Sequence, residues 1–123
     1  MDTKILSPKA HGLIDYSLAG GLLLLPALFG FSKKVKTIYT AEALALLVYV
    51  ALSDHPAAVK PVIPFTTHGK IDPFNVAQFA LQTGLKPFRK DKKAQLFNIA
   101  FTAIAGITVL LTDWHGRTKK YPV

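Results

Sequence analysis

The sequence predicts an all-α fold: a four-helix transmembrane bundle made of two tandem helix hairpins related by a pseudo-twofold axis. Three observations lead there. Half of the 123 residues are hydrophobic and only 18% are charged. Of the 15 Lys and Arg, 11 gather at 33–36, 86–93 and 117–120, leaving nearly bare apolar runs between them. The stretch "HGLID" at 11–15 returns as "HGKID" at 68–72. A soluble amphipathic helix shows a charged face every third or fourth residue, whereas basic clusters flanking apolar runs are the arrangement of membrane proteins. The net charge of +8 would suit nucleic acid only on a soluble fold with a joined basic face, so no nucleic-acid partner is expected. The lipid bilayer is the expected partner.

The elements follow in chain order. Ser7 and Pro8 cap and start the first helix. Its apolar run, 13–31, has one charge in nineteen positions, and Gly30 closes it. Pro26 removes a backbone bond and predicts a kink. The "AGG" at 19–21 predicts close approach of another helix. The second helix, 38–53, has one charge in sixteen positions, Glu42, expected near the helix start and exposed beside the basic loop. The connector 55–65 holds Pro56, Pro61 and Pro64 and cannot be helical throughout. The third segment, 71–88, is less apolar. Its Asn75, Gln78 and Gln82 fall on one helical stripe, which should face the bundle interior. The last, 95–112, has no charge in eighteen residues, against the roughly 20 needed to span a bilayer. No basic n-region with a cleavage site precedes the first run, so it is expected to be retained.

A shift of 57 places His11 on His68, Gly12 on Gly69, Asp15 on Asp72 and Phe31 on Phe88; with two residues more, 41–54 falls on 100–113. One membrane domain results: a first repeat of about 8–54, the connector, a second repeat of about 66–113 and a polar tail, 114–123. Both termini lie on one side. The hairpin loops carry eight Lys and Arg against seven elsewhere, which weakly puts the loops in the cytoplasm and the termini outside.

The segments "HGLIDY", "LLLLPALFGFS" at 22–32 and the helix endings "LSD" and "LTD" resemble the SPW repeat family, small bacterial membrane proteins whose repeat pairs two transmembrane helices. The name-giving Ser-Pro-Trp is replaced by "LPA", which keeps only Pro26. The resemblance implies the fold and a place in the bacterial inner membrane. It implies no activity.

The topology gathers ionisable groups at one face: His11, Asp15, Asp54, His55, His68, Asp72, Asp113 and His115. Imidazole and carboxylate together ligate Zn, Mn, Fe or Ni, and a His with an Asp four residues later shares one helical face. His11 and His68 are the best metal candidates. Two histidines from crossing helices can instead hold a haem iron, and His with Asp can relay protons. The structural reading is that Asp72 caps a helix begun by Pro73, that Asp15 does the same, and that the trailing Asp54 and Asp113 pair with Lys70, His11, His68 or neighbouring helix starts. His55 and His115 correspond with a slip of one residue. Trp114, Tyr16 and Tyr121 suit an interfacial belt. There is no cysteine, which excludes disulfides and thiolate chemistry, and there is no phosphate loop or serine nucleophile motif. The expected role is therefore structural or accessory, within an oligomer or beside a membrane partner. A metal- or haem-binding protein is the alternative.

Overall fold

The computed structural model describes residues 4–121. Among them are five helices and no strand: α1 (Pro8–Leu28), α2 (Lys33–Leu52), α3 (Phe65–Gln82), α4 (Lys86–Arg89) and α5 (Lys92–Leu111). Three of these, α1, α2 and α5, are long and apolar enough to cross a membrane. Many of their large side chains point outward, with Leu28 77%, Leu96 67% and Leu110 67% exposed. A soluble protein rarely shows so much contiguous apolar surface.

Local chemistry sets the boundaries. The hydroxyl of Ser7 accepts the N–H of Ala10 at 3.1 Å, and Pro8 takes the first turn, where its missing N–H costs nothing. Gly30 turns the chain at φ +68°, a conformation glycine adopts without Cβ strain. Ser32 then caps α2. Asp91 accepts from Ala94 N at 3.2 Å as the cap of α5 and from Ser32 N at 2.9 Å, tying the two hairpin loops together. The basic stretch expected as a plain loop contains the short helix α4.

α1 packs along α2 and α3 along α5. Leu22, Phe31, Val35, Tyr39, Phe79, Phe88 and Phe101 meet in one apolar core toward the loop end. At the other end the chain closes on itself twice. Leu6 N–H donates to Leu111 O and Asp113 N–H to Leu6 O, at 2.9 and 2.8 Å. Ile63 N–H donates to Leu52 O and Asp54 N–H to Ile63 O, both at 2.8 Å. The residues leading into α1 and α3 are thereby held against the ends of α5 and α2.

Several expectations change. α3 begins at Phe65, so Pro73 lies inside the helix and Asp72 is a mid-helix residue, not a cap. Asp15 is likewise inside α1. Proline normally breaks a helix by losing its bond to, and crowding, the carbonyl four residues earlier; here that residue is Gly69, and the helix runs on. The two glycines of "AGG" do not mediate close approach, because a Cβ built on Gly20 meets nothing within 4 Å and one on Gly21 meets only Leu25; Ala19 alone of the three is buried. The close contacts are at Gly12, where the His55 ring lies, at Gly69, where the Trp114 ring lies, and at Gly116, against Pro8. Gly12→Ala and Gly69→Ala should each lower stability by about 1–3 kcal/mol, the usual cost of overpacking. Thermal melting in detergent, with Gly20→Ala as the neutral control, checks this.

Candidate metal centre

Near the end where the chain closes on itself, α1 and α3 each turn one His and, four residues on, one Asp toward the other helix. His11, Asp15, His68 and Asp72 are 1%, 6%, 1% and 7% exposed. His11 Nε2 lies 3.0 Å from Asp15 Oδ2 and 3.1 Å from Asp72 Oδ2. His68 Nε2 lies 3.2 Å from Asp15 Oδ2 and 3.1 Å from Asp72 Oδ1. One ligating atom from each of the four falls within 4.8 Å of the others. The α-helical repeat explains the pairing on each helix, since i and i+4 share a face.

The other ring nitrogens fix the tautomers. His11 Nδ1 is 2.7 Å from Thr112 Oγ1, and His68 Nδ1 is 2.6 Å from Ser53 Oγ. Both hydroxyls also reach the carbonyl four residues back, Thr112 to Thr108 O at 2.5 Å and Ser53 to Tyr49 O at 2.7 Å. A carbonyl can only accept, and a hydroxyl has one proton. Each hydroxyl therefore donates to its carbonyl and accepts from the ring, so both histidines carry a proton on Nδ1. Both Nε2 atoms then aim a lone pair at carboxylate oxygens. That arrangement is repulsive unless a proton or a cation lies between them.

A proton on His11 would offset the charge of the carboxylates but would lack a well-directed acceptor. The His11 Nε2 is fully buried and makes no hydrogen bond of acceptable geometry, although two carboxylate oxygens lie within 3.1 Å.

Rings and a hydroxyl wall the centre. His11 packs edge-on to Trp114 and to His68, with centroids 4.8 and 5.2 Å apart. Tyr49 stacks on His68 at 4.1 Å. Its hydroxyl lies 3.0 Å from His68 O and 3.1 Å from Asp72 Oδ1, its one proton shared between the two acceptors. A cavity of about 40 Å³ adjoins His11, Asp15 and Asp72, room for an ion or a water but not for a porphyrin. Asp15 Oδ2 lies within 3.2 Å of both ligating nitrogens, so a carboxylate and not a slot of macrocycle width separates the two rings.

The remaining candidates lie apart. Asp54 is buried and accepts from Thr118 Oγ1 at 2.9 Å and Lys120 N at 3.1 Å. Its partners are thus in the C-terminal tail, not Lys70 or the histidines. Asp113 accepts from His115 N at 3.1 Å, and His115 is exposed. The His55 ring covers Gly12, and the ring that covers Gly69 is Trp114, not His115. Trp114 accordingly packs on Phe65 and His11 instead of serving only as a surface belt.

His55 donates from Nε2 to Val50 O at 2.8 Å and accepts Ala57 N–H at Nδ1, at 3.2 Å. Both nitrogens are satisfied only in the neutral ring. Burial holds its pKa below the usual 6.5, against the opposing pull of the Val50 carbonyl, and the nearby His68 and His11 push the same way as burial. The unfolded chain then binds a proton more readily than the native one. The stability contributed by neutral His55 is complete above pH 6.5 and declines as pH falls below it. Melting followed from pH 7.5 to 5 (range from the ordinary histidine pKa of about 6.5) should decline more steeply in the wild type than in His55→Gln.

Ser53, Thr112, Tyr49, Trp114 and the two glycines complete the site without having been singled out for it by sequence. The hydroxyls stood in plain view, one residue before each Asp of "LSD" and "LTD". No family model, no curated protein and no solved structure matches this chain.

Proposed function

We propose that the chain is a small integral membrane protein, a pseudo-twofold pair of helix hairpins, that holds one divalent transition-metal ion between His11, Asp15, His68 and Asp72. The observation that carries the reading is the buried, unsatisfied Nε2 of His11, aimed between two carboxylates with its protonation fixed from behind by Thr112. Spacing supports it. Metal–ligand bonds of about 2.0–2.1 Å set neighbouring ligand atoms about 3.0 Å apart at right angles and about 3.4 Å apart at tetrahedral angles, and the four His–Asp distances run from 3.0 to 3.2 Å. Two imidazoles with two carboxylates suit Zn, Mn, Fe or Ni better than Ca or Mg. Two anionic carboxylates also cancel the charge of a divalent ion, as a low-dielectric interior requires.

The bilayer setting draws on three spanning-length helices; of the α3 stripe expected to face inward, Gln82 is buried, Asn75 half-buried and Gln78 exposed, where it meets Glu42. The resemblance to SPW repeat proteins favours a bacterial inner membrane, and the basic hairpin loops favour the cytoplasm for the loops and the outside for the termini. A second reading has its own support: His11–Asp72 and His68–Asp15 cross between the hairpins, so the quartet would serve as a clamp in a structural or accessory subunit, alone or in an oligomer.

Metal analysis separates the two. Protein purified in detergent should take up one equivalent of Zn²⁺ or Co²⁺ and, with Co²⁺, show a visible absorption band; loading should raise the melting temperature, and a chelator should reverse it. Absence of uptake at micromolar metal would leave the clamp.

A further inference from the structure

Glu42 sits midway along α2, roughly 14 Å from either end at 1.5 Å per residue. It is neither near the helix start nor exposed by the basic loop, as its sequence context suggests; it is half-buried. Gln78 Nε2 donates to its Oε2 at 2.7 Å and Gln82 Nε2 to its Oε1 at 3.2 Å. Those amides are anchored in turn: Gln82 Nε2 and Tyr39 Oη both donate to Asn98 Oδ1, at 2.7 and 2.8 Å. Asn98 Nδ2 donates to Phe79 O and Thr83 Oγ1, at 2.8 and 2.7 Å. Both Glu42 oxygens thus receive N–H groups, and no partner accepts a proton from them. The network is built for the carboxylate anion.

Among the described residues no Lys, Arg or His forms an ion pair with that anion. An intramembrane carboxylate without a cation is costly and marks a functional site by default. It borders a groove of about 320 Å³ beside α2 and α3, with Ala45, Leu46, Ile71 and Phe79 as apolar wall and Tyr49, Asn75 and Gln78 as further polar lining. Small-molecule sites have this build, mainly apolar walls with a small number of placed polar groups and a volume from about 300 Å³ upward.

We propose that the groove binds a lipophilic organic cation, an amine or onium ion whose apolar body lies against Leu46, Ile71 and Phe79 and whose charge rests on Glu42. Charge complementarity selects the class. A neutral or anionic lipid would leave Glu42 uncompensated, while a small hydrated cation would have to shed water against apolar walls. The site shares no ligand atom with the His and Asp centre and stands whether or not that centre holds metal.

The test is equilibrium dialysis of radiolabelled tetraphenylphosphonium against the full-length protein in detergent. Saturable binding is expected, with Glu42→Gln weakening it by about tenfold or more, which corresponds to 1.4 kcal/mol. Ala45→Phe, which fills the groove and leaves Glu42 in place, should weaken it to a similar degree. Triphenylmethanol, apolar but uncharged, should not compete. Non-saturable uptake by the wild type, equal binding by Glu42→Gln, or full competition by triphenylmethanol would each overturn the proposal. Ala45→Phe protein of wild-type helicity and wild-type affinity would do so as well.

Discussion

His11→Ala or His68→Ala is expected to weaken Zn²⁺ or Co²⁺ binding by more than about a hundredfold, whereas Thr112→Ala or Ser53→Ala should weaken it by about 10–100-fold, the range typical of groups that orient a ligand without touching the metal. The order follows from the bonding. A histidine supplies a donor atom. The hydroxyl behind it supplies only the tautomer, by accepting the Nδ1 proton while giving its own to the carbonyl four residues back. With the hydroxyl in place the proton kept on metal loading is the one on Nδ1; without it the ring can keep the Nε2 proton instead, and Nε2 is the atom the metal needs. Thr112→Ser and Ser53→Thr keep the hydroxyl and should retain wild-type affinity within a few-fold. Titration with Co²⁺, read in the visible, measures all of these. Equal loss in the hydroxyl-deleting and hydroxyl-retaining variants would trace the effect to packing, and the tautomer argument would then fall.

Much of this site could be read in the chain because helices report their own faces. His11 with Asp15, and His68 with Asp72, share a face by spacing alone, and the repeat brings the two faces to the same end. Spacing along one helix gives no register between helices. That register comes from the paired closures around Leu6 and Ile63 and from rings seated on Gly12 and Gly69. The repeat marks both glycines, but a glycine does not announce which ring covers it. The sequence matches His55 with His115, whereas the ring seated on Gly69 is Trp114. Pro73 misled for a related reason: a proline after an Asp is an ordinary helix start, and only the pairing of Ile63 with Ser53 sets the start of α3 further back. The helix then carries Asp72 into the interior. The apolar run that opens at Ile38 puts Glu42 near a helix start, whereas the Ser32 cap begins α2 at Lys33 and leaves Glu42 midway along it.

Asp72→Asn should destabilise the metal-free protein by about 3–5 kcal/mol, the cost of removing one partner from a buried ionic set. With Nδ1 protonated on both rings, the metal-free quartet is relieved of its facing lone pairs only when each Nε2 also takes a proton. Two imidazolium charges then balance two carboxylates. Removing Asp72 leaves one positive charge in excess, and the hydroxyl of Tyr49 loses its charged acceptor. Removing a histidine together with the carboxylate restores neutrality. His11→Gln combined with Asp72→Asn should therefore cost less than the sum of the two single variants, by about 0.5–3 kcal/mol of coupling. The same count fixes what metal does: a divalent ion replaces two protons at no change in net charge, so loading should release protons into the medium. Calorimetry of Zn²⁺ binding in two buffers of different ionisation enthalpy reads that release directly, and Asp72→Asn melting in detergent reads the stability. Additive single variants, or metal binding without proton release, would show that the quartet is not held neutral by protons in the metal-free state.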